Sequence, residues 1–175
     1  MLAVARQLFL ERGYDSVGMR EIAQNAGISP ALIYREGWTK ADLLAELVLA
    51  LNDEQIAGIE AMPLPEDTSP IERVLAVLAQ FFAFDIAQLQ LRRLGAAYGW
   101  LWSADQEARC AKQLKELIEP LRQIVIDAGL DPVEPRVEGL SAIYTAAFRD
   151  AVFANADAAT CIERIRPTVA ILLKP

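Results

Sequence analysis

Hydrophobic residues recur at helical spacing along most of the chain, and proline and glycine divide this pattern into segments of helix length. Apolar positions three and four residues apart predict a series of helices. Their predicted ranges are residues 2–12, 19–26, 30–36, 40–60, 70–91, 92–101, 104–128, 134–155 and 160–173. Alternation of the kind that marks strands is short wherever it occurs, so the pattern predicts an all-α protein.

Capping residues and a proline-rich segment place boundaries within this series. Ser69, Ser103 and Thr160 are each followed three residues later by Glu or Gln, the capping-box pattern of a helix start. Thr39 is placed to cap the long helix that follows it. Residues 62–70 contain three prolines and a polar cluster, which is typical of a linker. We therefore expect a small N-terminal unit followed by a larger helical bundle.

Residues 13–40 have the pattern of a helix-turn-helix. Two short helices meet at Gly27, which can adopt a left-handed turn, and Ala23 permits their close approach. Ile22, Ile28 and Ile33 are spaced to wedge the pair together. The same pattern also fits an α-hairpin inside a bundle, and helix, turn and glycine alone leave both interpretations open.

The residues of this segment resemble the DNA-binding domain of the TetR (tetracycline repressor) family of bacterial transcriptional regulators. The resemblance spans residues 3–47. It rests on Leu8, Phe9, Gly13, Tyr14, Met19, Arg20, Ile22, Ala23, Ala26, Gly27, Ser29, Tyr34, Lys40, Leu43 and Leu44. Over the rest of the chain the similarity is confined to length, helical content and the long final helices.

The resemblance implies a two-domain regulator. A helix-turn-helix DNA-binding domain would cover residues 1–45, with its long connecting helix continuing to about residue 60. A ligand-binding and dimerisation bundle would cover residues 46–175. The family further implies a homodimer that binds a palindromic operator in double-stranded DNA, acts as a repressor and is released by a small-molecule effector.

DNA contacts are implied at positions on and around the second helix of the motif. The positions that would contact base edges are Ser29, Pro30, Ala31 and Leu32. Those that would contact phosphates are Tyr34 and Lys40, with Arg20 and Arg35 as further candidates, since their charge opposes that of the DNA backbone. A surface ion pair of Arg20 with Glu21 or a nearby carboxylate is the alternative.

Two residues depart from the family pattern, in which an aromatic or His residue precedes a core Phe. Glu36 would face polyanionic DNA, and Gly37 removes a core side chain that Trp38 is positioned to replace. Residues 1–50 carry five basic and six acidic side chains, so this unit is not a basic patch. A second hypothesis follows, a dimeric small-molecule-binding or partner-binding protein whose DNA-binding helix no longer functions.

Composition excludes several catalytic and metal-binding arrangements. The 175 residues include no histidine, which removes Ser-His-Asp and Cys-His catalysis and the zinc sites that use histidine. Cys110 and Cys161 are too few for a four-cysteine site. Because no phosphate-binding loop or paired-carboxylate motif stands out, we expect no enzyme activity, no metal and no cofactor. The net charge of −7 provides no global attraction for polyanions.

The distribution of apolar residues favours a cytoplasmic protein without a membrane segment. No run approaches the roughly 20 apolar residues that span a bilayer. Arg6, Glu11 and Arg12 interrupt the N-terminal segment where the apolar part of a signal peptide would continue. In that compartment both cysteines are expected to be reduced and buried, with a disulfide as the alternative. Hydrophobic residues nevertheless make up 54% of the chain, which points to a partner interface, a ligand cavity, or both.

Aromatic residues concentrate in two neighbouring helices of the predicted bundle. As a group they are suited to line an apolar cavity with few polar groups, and plain core packing is the alternative. The candidate ligand-binding residues are Phe81, Phe82, Asp85, Arg92, Tyr98, Trp100, Trp102 and Tyr144. The expected effector is a largely apolar small molecule.

The last two predicted helices carry apolar and small residues at the spacing of helix–helix contacts. Two such helices packed against their symmetry mates form an isologous four-helix interface, and a closed monomeric core is the alternative. The candidate interface residues are Leu140, Tyr144, Ala147, Ala151, Ile162, Ile165, Val169 and Leu172.

Overall fold

The computed structural model describes residues 1–63 and 68–175, apart from the side chains of Pro30 and Tyr34. Within these residues the chain forms nine α-helices and a short 3-10 turn, with no strand, which confirms the all-α class. The helices are α1 (Leu2–Arg12), α2 (Met19–Asn25), α3 (Pro30–Arg35), α4 (Lys40–Glu60), α5 (Pro70–Ala87), α6 (Leu89–Tyr98), α7 (Ala104–Asp127), α8 (Val133–Ala154) and α9 (Ala158–Leu172), and the 3-10 turn is Gly99–Leu101.

The chain is divided into two compact units that are discontinuous in sequence. The N-terminal unit consists of residues 1–53 and 90–111, and the C-terminal unit consists of residues 54–89 and 112–175. Helices α4 and α7 each contribute residues to both units. The functional boundary near residue 45 stays a prediction. Of the predicted linker, residues 64–67 lie outside the described residues.

Three helix starts have the caps that local sequence predicts. The Ser69 hydroxyl accepts a backbone N–H of the first turn of α5 at 3.3 Å. Ser103 and Gln106 form a reciprocal box, in which each backbone N–H donates to the other residue's side chain at 2.9 and 3.3 Å. Thr39 and Asp42 make the same exchange at the start of α4, at 2.8 and 3.1 Å. Each cap satisfies donors that a helix start leaves unpaired.

Several helix boundaries differ from the prediction, among them both ends of α6, which spans Leu89–Tyr98 instead of residues 92–101. Helix α9 begins before Thr160, because the Asp157 carboxylate caps it by accepting the Thr160 backbone N–H at 2.8 Å. Hydrogen bonds from the backbone and side chain of Thr160 hold the pKa of Asp157 below its ordinary value. Helix α5 ends at Ala87 instead of residue 91, because Gln88 leaves the helical conformation and its N–H closes the last turn on the Phe84 carbonyl at 3.1 Å.

The structure corrects the predicted dimer interface, because most of that apolar stripe packs into the core of its own unit. Helix α9 packs against both α5 and α8. Relative exposure is 9% or less for Leu140, Ala147, Ala151, Ile162, Ile165 and Val169. Tyr144 and Leu172 are partly buried and pack against the same core. The closed core that sequence analysis left as the alternative accounts for this stripe.

Other residues form the outward faces of α8 and α9. Ala142, Thr145, Ala146 and Phe153 are exposed along one side of α8. Phe153 leaves 73% of its surface in solvent, and Ile171 of α9 leaves 64%. Small residues and exposed large apolar side chains therefore occur on the sides of these helices that the core does not use.

Candidate nucleic-acid interface and ligand region

The connection between α2 and α3 is a tight, hydrogen-bonded turn at Gly27. Gly27 has a φ of +66°, a left-handed conformation that glycine adopts at little cost. The backbone N–H of Ile28 donates to the Ala23 carbonyl at 2.9 Å and closes the end of α2. Ile22, Ala23 and Ile33 are buried and Ile28 is half-buried, so two of the three predicted wedge residues lie in the core.

One side of α3 and the residue before it form an exposed surface, which we call the reading surface. Its described members are Ser29, Ala31, Leu32 and Arg35. Leu32 leaves 40% of its surface in solvent, although Ile33 beside it is only 3% exposed. The predicted contacts of the Pro30 and Tyr34 side chains lie outside the described residues. The described positions are thus accessible to a partner, and their contacts with bases stay predictions.

Gly37 and Glu36, which depart from the family pattern, both have local structural roles. Gly37 has a φ of +75°, and the N–H of Trp38 donates to the Ile33 carbonyl at 3.3 Å. This arrangement ends α3 in the same way that Gly27 ends α2. The Glu36 carboxylate accepts hydrogen bonds from the exposed Arg35 guanidinium, the shorter at 3.2 Å. Glu36 therefore offsets part of the positive charge at this end of α3.

Arg20 lies exposed on α2. Glu21, its alternative partner, instead forms an ion pair with Arg12 of α1. The Arg20 guanidinium is therefore on an accessible surface next to the turn, where its predicted contact with a phosphate stays open to test.

Lys40 is held by the loop between α1 and α2. Its Nζ donates to the Tyr14 carbonyl at 2.7 Å and lies 4.3 Å from the centroid of the Tyr14 ring. On α6, the Tyr98 ring lies 4.2 Å from the Tyr14 ring, and the Tyr98 hydroxyl donates to Asp15 at 2.6 Å. Burial raises the pKa of Tyr14, and the hydrogen bond to Asp15 raises the pKa of Tyr98. Both phenols are therefore neutral near pH 7, and Lys40 has a defined position.

Polar pairs hold residues 90–111 against the part of α4 that belongs to the N-terminal unit. The pairs are Arg92 with Asn52 at 2.5 Å, Gln106 with Asp42 at 2.8 Å, and Arg109 with Glu46 at 2.5 and 3.0 Å. Burial disfavours the charged form of Asp42, but hydrogen bonds from Thr39 and Gln106 outweigh it and lower the pKa of the carboxyl. Asp42 therefore caps α4 and accepts a hydrogen bond from α7 in its charged form.

The close approach of α6 to α4 predicts a severe effect for a small substitution. A methyl group on Gly95 would lie 2.9 Å from Cγ2 of Val48. Gly95→Ala is expected to lower the free energy of unfolding by about 1–3 kcal/mol, because extra volume strains a packed contact. Val48→Ala in the same chain is expected to recover most of this loss in urea denaturation.

Gly99→Ala is the matched control for this prediction. A methyl group there would meet its nearest neighbour, Cε2 of Trp102, at 4.0 Å, an ordinary van der Waals distance. If Gly95→Ala and Gly99→Ala unfold at the same urea concentration, α6 does not approach α4 as closely as the structure indicates.

An open groove of about 350 Å³ lies beside α1 and α6 in the N-terminal unit. Phe9, Leu10, Gln90, Arg93 and Leu94 line it. None of these belongs to the predicted ligand-binding set. Sequence patterning gave no signal for the groove, because its walls come from two segments far apart in the chain.

The predicted ligand-binding residues are divided between the two units. Those in the C-terminal unit are Phe81, Phe82, Asp85 and Tyr144, and those in the N-terminal unit are Arg92, Tyr98, Trp100 and Trp102. Trp100 is 89% exposed on the 3-10 turn, so it does not line an enclosed apolar cavity, and its assignment is corrected. Arg92 and Tyr98 bind side chains of their own unit. In the C-terminal group, Tyr144 contacts the other three residues, and the contacts of all the predicted residues with a ligand stay predictions.

Asp85 is the polar centre of that group. Its Oδ1 accepts a hydrogen bond from Gln55 Nε2 at 3.2 Å, and its Oδ2 accepts one from the Tyr144 hydroxyl. The Tyr144 ring centroid lies 4.6 Å from that of Phe82 and 5.6 Å from that of Phe81. Asp85 is 8% exposed and Gln55 is 4% exposed. A hydrogen-bonded carboxylate among aromatic rings is the kind of group that orients a ligand in apolar surroundings.

Among the described residues the structure contains neither a cluster of metal-ligating side chains nor a single helix able to cross a membrane. Within residues 1–63 and 68–175, no three His, Cys, Asp or Glu side chains are grouped as a metal site. No single helix among the described residues has the length and hydropathy to cross a membrane, although Pro70–Ala87 and Leu89–Leu101 together meet this criterion across a bend. Cys110 and Cys161 are both free thiols.

The sequence matches known bacterial regulators. The family model described as bacterial regulatory proteins, tetR family, matches residues 1–47. The HTH-type transcriptional activator FasR of Mycolicibacterium smegmatis is 27% identical over 129 residues, which cover 73% of this chain and 56% of that protein. The chain therefore spans little more than half the length of that relative.

Solved structures share the fold over almost the whole chain. A TetR/AcrR-family regulator from Thermobifida fusca has a TM-score of 0.71 at 24% identity, over 96% of this chain and 93% of that one. The regulator FadR from Bacillus subtilis, solved in complex with stearoyl-CoA, has a TM-score of 0.70 at 19% identity, over 98% of this chain and 95% of that one. At these identities the similarity shows a common fold.

Proposed function

We propose that this chain, whose residues 1–47 match the tetR family of bacterial regulatory proteins, binds a palindromic DNA operator as a homodimer. The observation that carries the proposal is the exposed reading surface of α3 beyond the tight turn at Gly27. In helix-turn-helix proteins such a helix enters the major groove. We assign Ser29, Ala31 and Leu32 to base edges. Arg20, whose side chain is exposed beside the turn, is assigned to a phosphate.

The proposed homodimer forms through the outward faces of α8 and α9. Phe153 and Ile171 are large apolar side chains left mostly in solvent, a feature that marks interaction surfaces. The exposed Ala142 and Ala146 permit close approach of a second helix. A homodimer carries two copies of α3, one for each half-site of a palindromic operator.

The proposed signal is a largely apolar small molecule that binds near Asp85 in the C-terminal unit. Phe81, Phe82 and Tyr144 supply aromatic surface there, and Asp85 supplies a hydrogen-bond acceptor. The complex of FadR with stearoyl-CoA supports an effector with a long apolar part. In this proposal the effector favours a position of α4 that does not fit both half-sites, so the protein is a cytoplasmic repressor released by its ligand.

A second candidate function is a ligand-binding or partner-binding dimer that no longer binds DNA. The exposed Glu36 carboxylate favours it, because a negative charge beside α3 repels phosphates. The structure weakens the other half of that argument, since Gly37 has a role in ending α3. DNA binding of modest, salt-sensitive affinity therefore remains the better supported function.

Glu36→Gln distinguishes the two functions. The unmodified protein is expected to retard a duplex taken from upstream of its own gene at low salt. Glu36→Gln is expected to increase that affinity about five-fold per half-site and about 25-fold in total, because removing a like charge a few ångströms from a phosphate in water is worth roughly 1 kcal/mol. Fluorescence anisotropy at two salt concentrations measures both proteins.

Glu60→Gln is the control, since it makes the same change in net charge at the exposed end of α4, in the C-terminal unit. At about 0.1 M salt its affinity is expected to stay within about two-fold of the unmodified protein, because screening there weakens charges beyond a Debye length of about 10 Å. Failure of all three proteins to bind any such duplex at any salt concentration would support the second function.

A further inference from the structure

The centre of the reading surface is hydrocarbon. Ala31 and Leu32 are consecutive and exposed. Ile33, the next residue, is 3% exposed, and successive side chains on a helix are about 100° apart. Rotating α3 to bury Leu32 would therefore expose Ile33. The buried side chain of Ile33 thus fixes the orientation of α3, and this orientation leaves Leu32 40% exposed.

Polar groups flank this hydrocarbon centre. Ser29 lies before it, and Arg35 lies one turn after Ala31. The Arg35 guanidinium donates to the Glu36 carboxylate at 3.2 and 3.4 Å. Neither Ala31 nor Leu32 has a side-chain donor or acceptor, so neither can read the hydrogen-bonding pattern of a base edge.

We propose that Leu32 selects thymine in each half-site by contact with its C5-methyl group, with Ala31 beside it. The inference rests on the proposed DNA-binding function and adds the class of base that the surface selects. Among the unmodified bases, only thymine presents an apolar group in the major groove. The contact removes from water the leucine surface that the unbound protein leaves exposed.

Deoxyuridine tests this inference, because it differs from thymidine in DNA by that methyl group alone. Bound duplexes are selected from a random library and footprinted, and each thymine is replaced in turn at matching positions of both half-sites. At one position the unmodified protein is expected to lose affinity about four-fold per half-site, and about fifteen-fold in total, which corresponds to one buried methyl group per protomer. Leu32→Ala is expected to bind the thymine and uracil duplexes equally.

Leu101→Ala is the matched control, because Leu101 is 64% exposed and lies outside α3. This variant is expected to keep the full preference for thymine. Uracil tolerated at every position by the unmodified protein would overturn the inference and leave the proposed function intact, and so would undiminished sensitivity in Leu32→Ala. A library from which no duplex is enriched would overturn both.

Discussion

Ile124→Ala is expected to lower the free energy of unfolding by about 2–5 kcal/mol. The same change at Ile126 is expected to alter it by no more than about 0.5 kcal/mol. Both residues lie on α7 in the C-terminal unit, but Ile124 is fully buried and Ile126 is 48% exposed. Truncation of Ile124 removes its contacts and leaves a cavity in the core. Truncation of Ile126 removes surface that is already partly in water.

Urea denaturation followed by circular dichroism measures both variants. Because each makes the same replacement in the same helix, the higher helix propensity of alanine contributes equally and cancels in the comparison. Equal losses of stability would contradict the packing of this face of α7, whatever their size.

The helix boundaries that could be predicted are those marked by local chemistry. Ser69 and Ser103 act on backbone groups of their own first turns, so three or four residues of sequence are enough to identify them. The end of α5 at Gln88 has no glycine or proline to mark it. At α9, Asp157 caps the helix three residues before Thr160, in accordance with the stronger preference for Asp at this position.

The inward face of a helix was harder to predict than its ends. Along α8, Leu140 and Ala147 are buried while Ala142 and Ala146 are exposed. Small and apolar residues thus occur on both faces, and their spacing does not tell a core of the same chain from a partner protomer. For this reason the predicted interface stripe coincides with the core.

The reading surface could be predicted because its motif is contiguous in sequence. Ser29, Ala31 and Leu32 are exposed, as contact with a base edge requires. The ligand region was less accessible to prediction, because its assignment depends on contacts between distant residues. Tyr98 donates to Asp15, and Arg92 donates to Asn52. Each contact joins residues far apart in sequence. Aromatic clustering and charge along the chain therefore could not show that Tyr98 and Arg92 belong to the N-terminal unit.

Phe153→Glu combined with Ile171→Glu is expected to convert the proposed dimer into a monomer and to weaken operator binding by about 10²–10⁴-fold. In an isologous interface each residue occurs twice about the two-fold axis, so the double variant places four carboxylates in an apolar contact. Burial of unpaired charge opposes association strongly. A monomer then binds one half-site and loses the gain that comes from linking two binding modules.

Sedimentation at micromolar concentration and anisotropy on the same operator measure the two consequences of this double variant. Leu114→Glu is the control, since Leu114 is a 51% exposed apolar residue of the C-terminal unit that lies on α7. It is expected to remain dimeric and to bind DNA normally. Because Phe153 and Ile171 are largely in solvent, the variant protomer is expected to retain its helical content. A double variant that still sediments as a dimer would place the interface on another surface, and a monomer of undiminished affinity would show that one protomer suffices for binding.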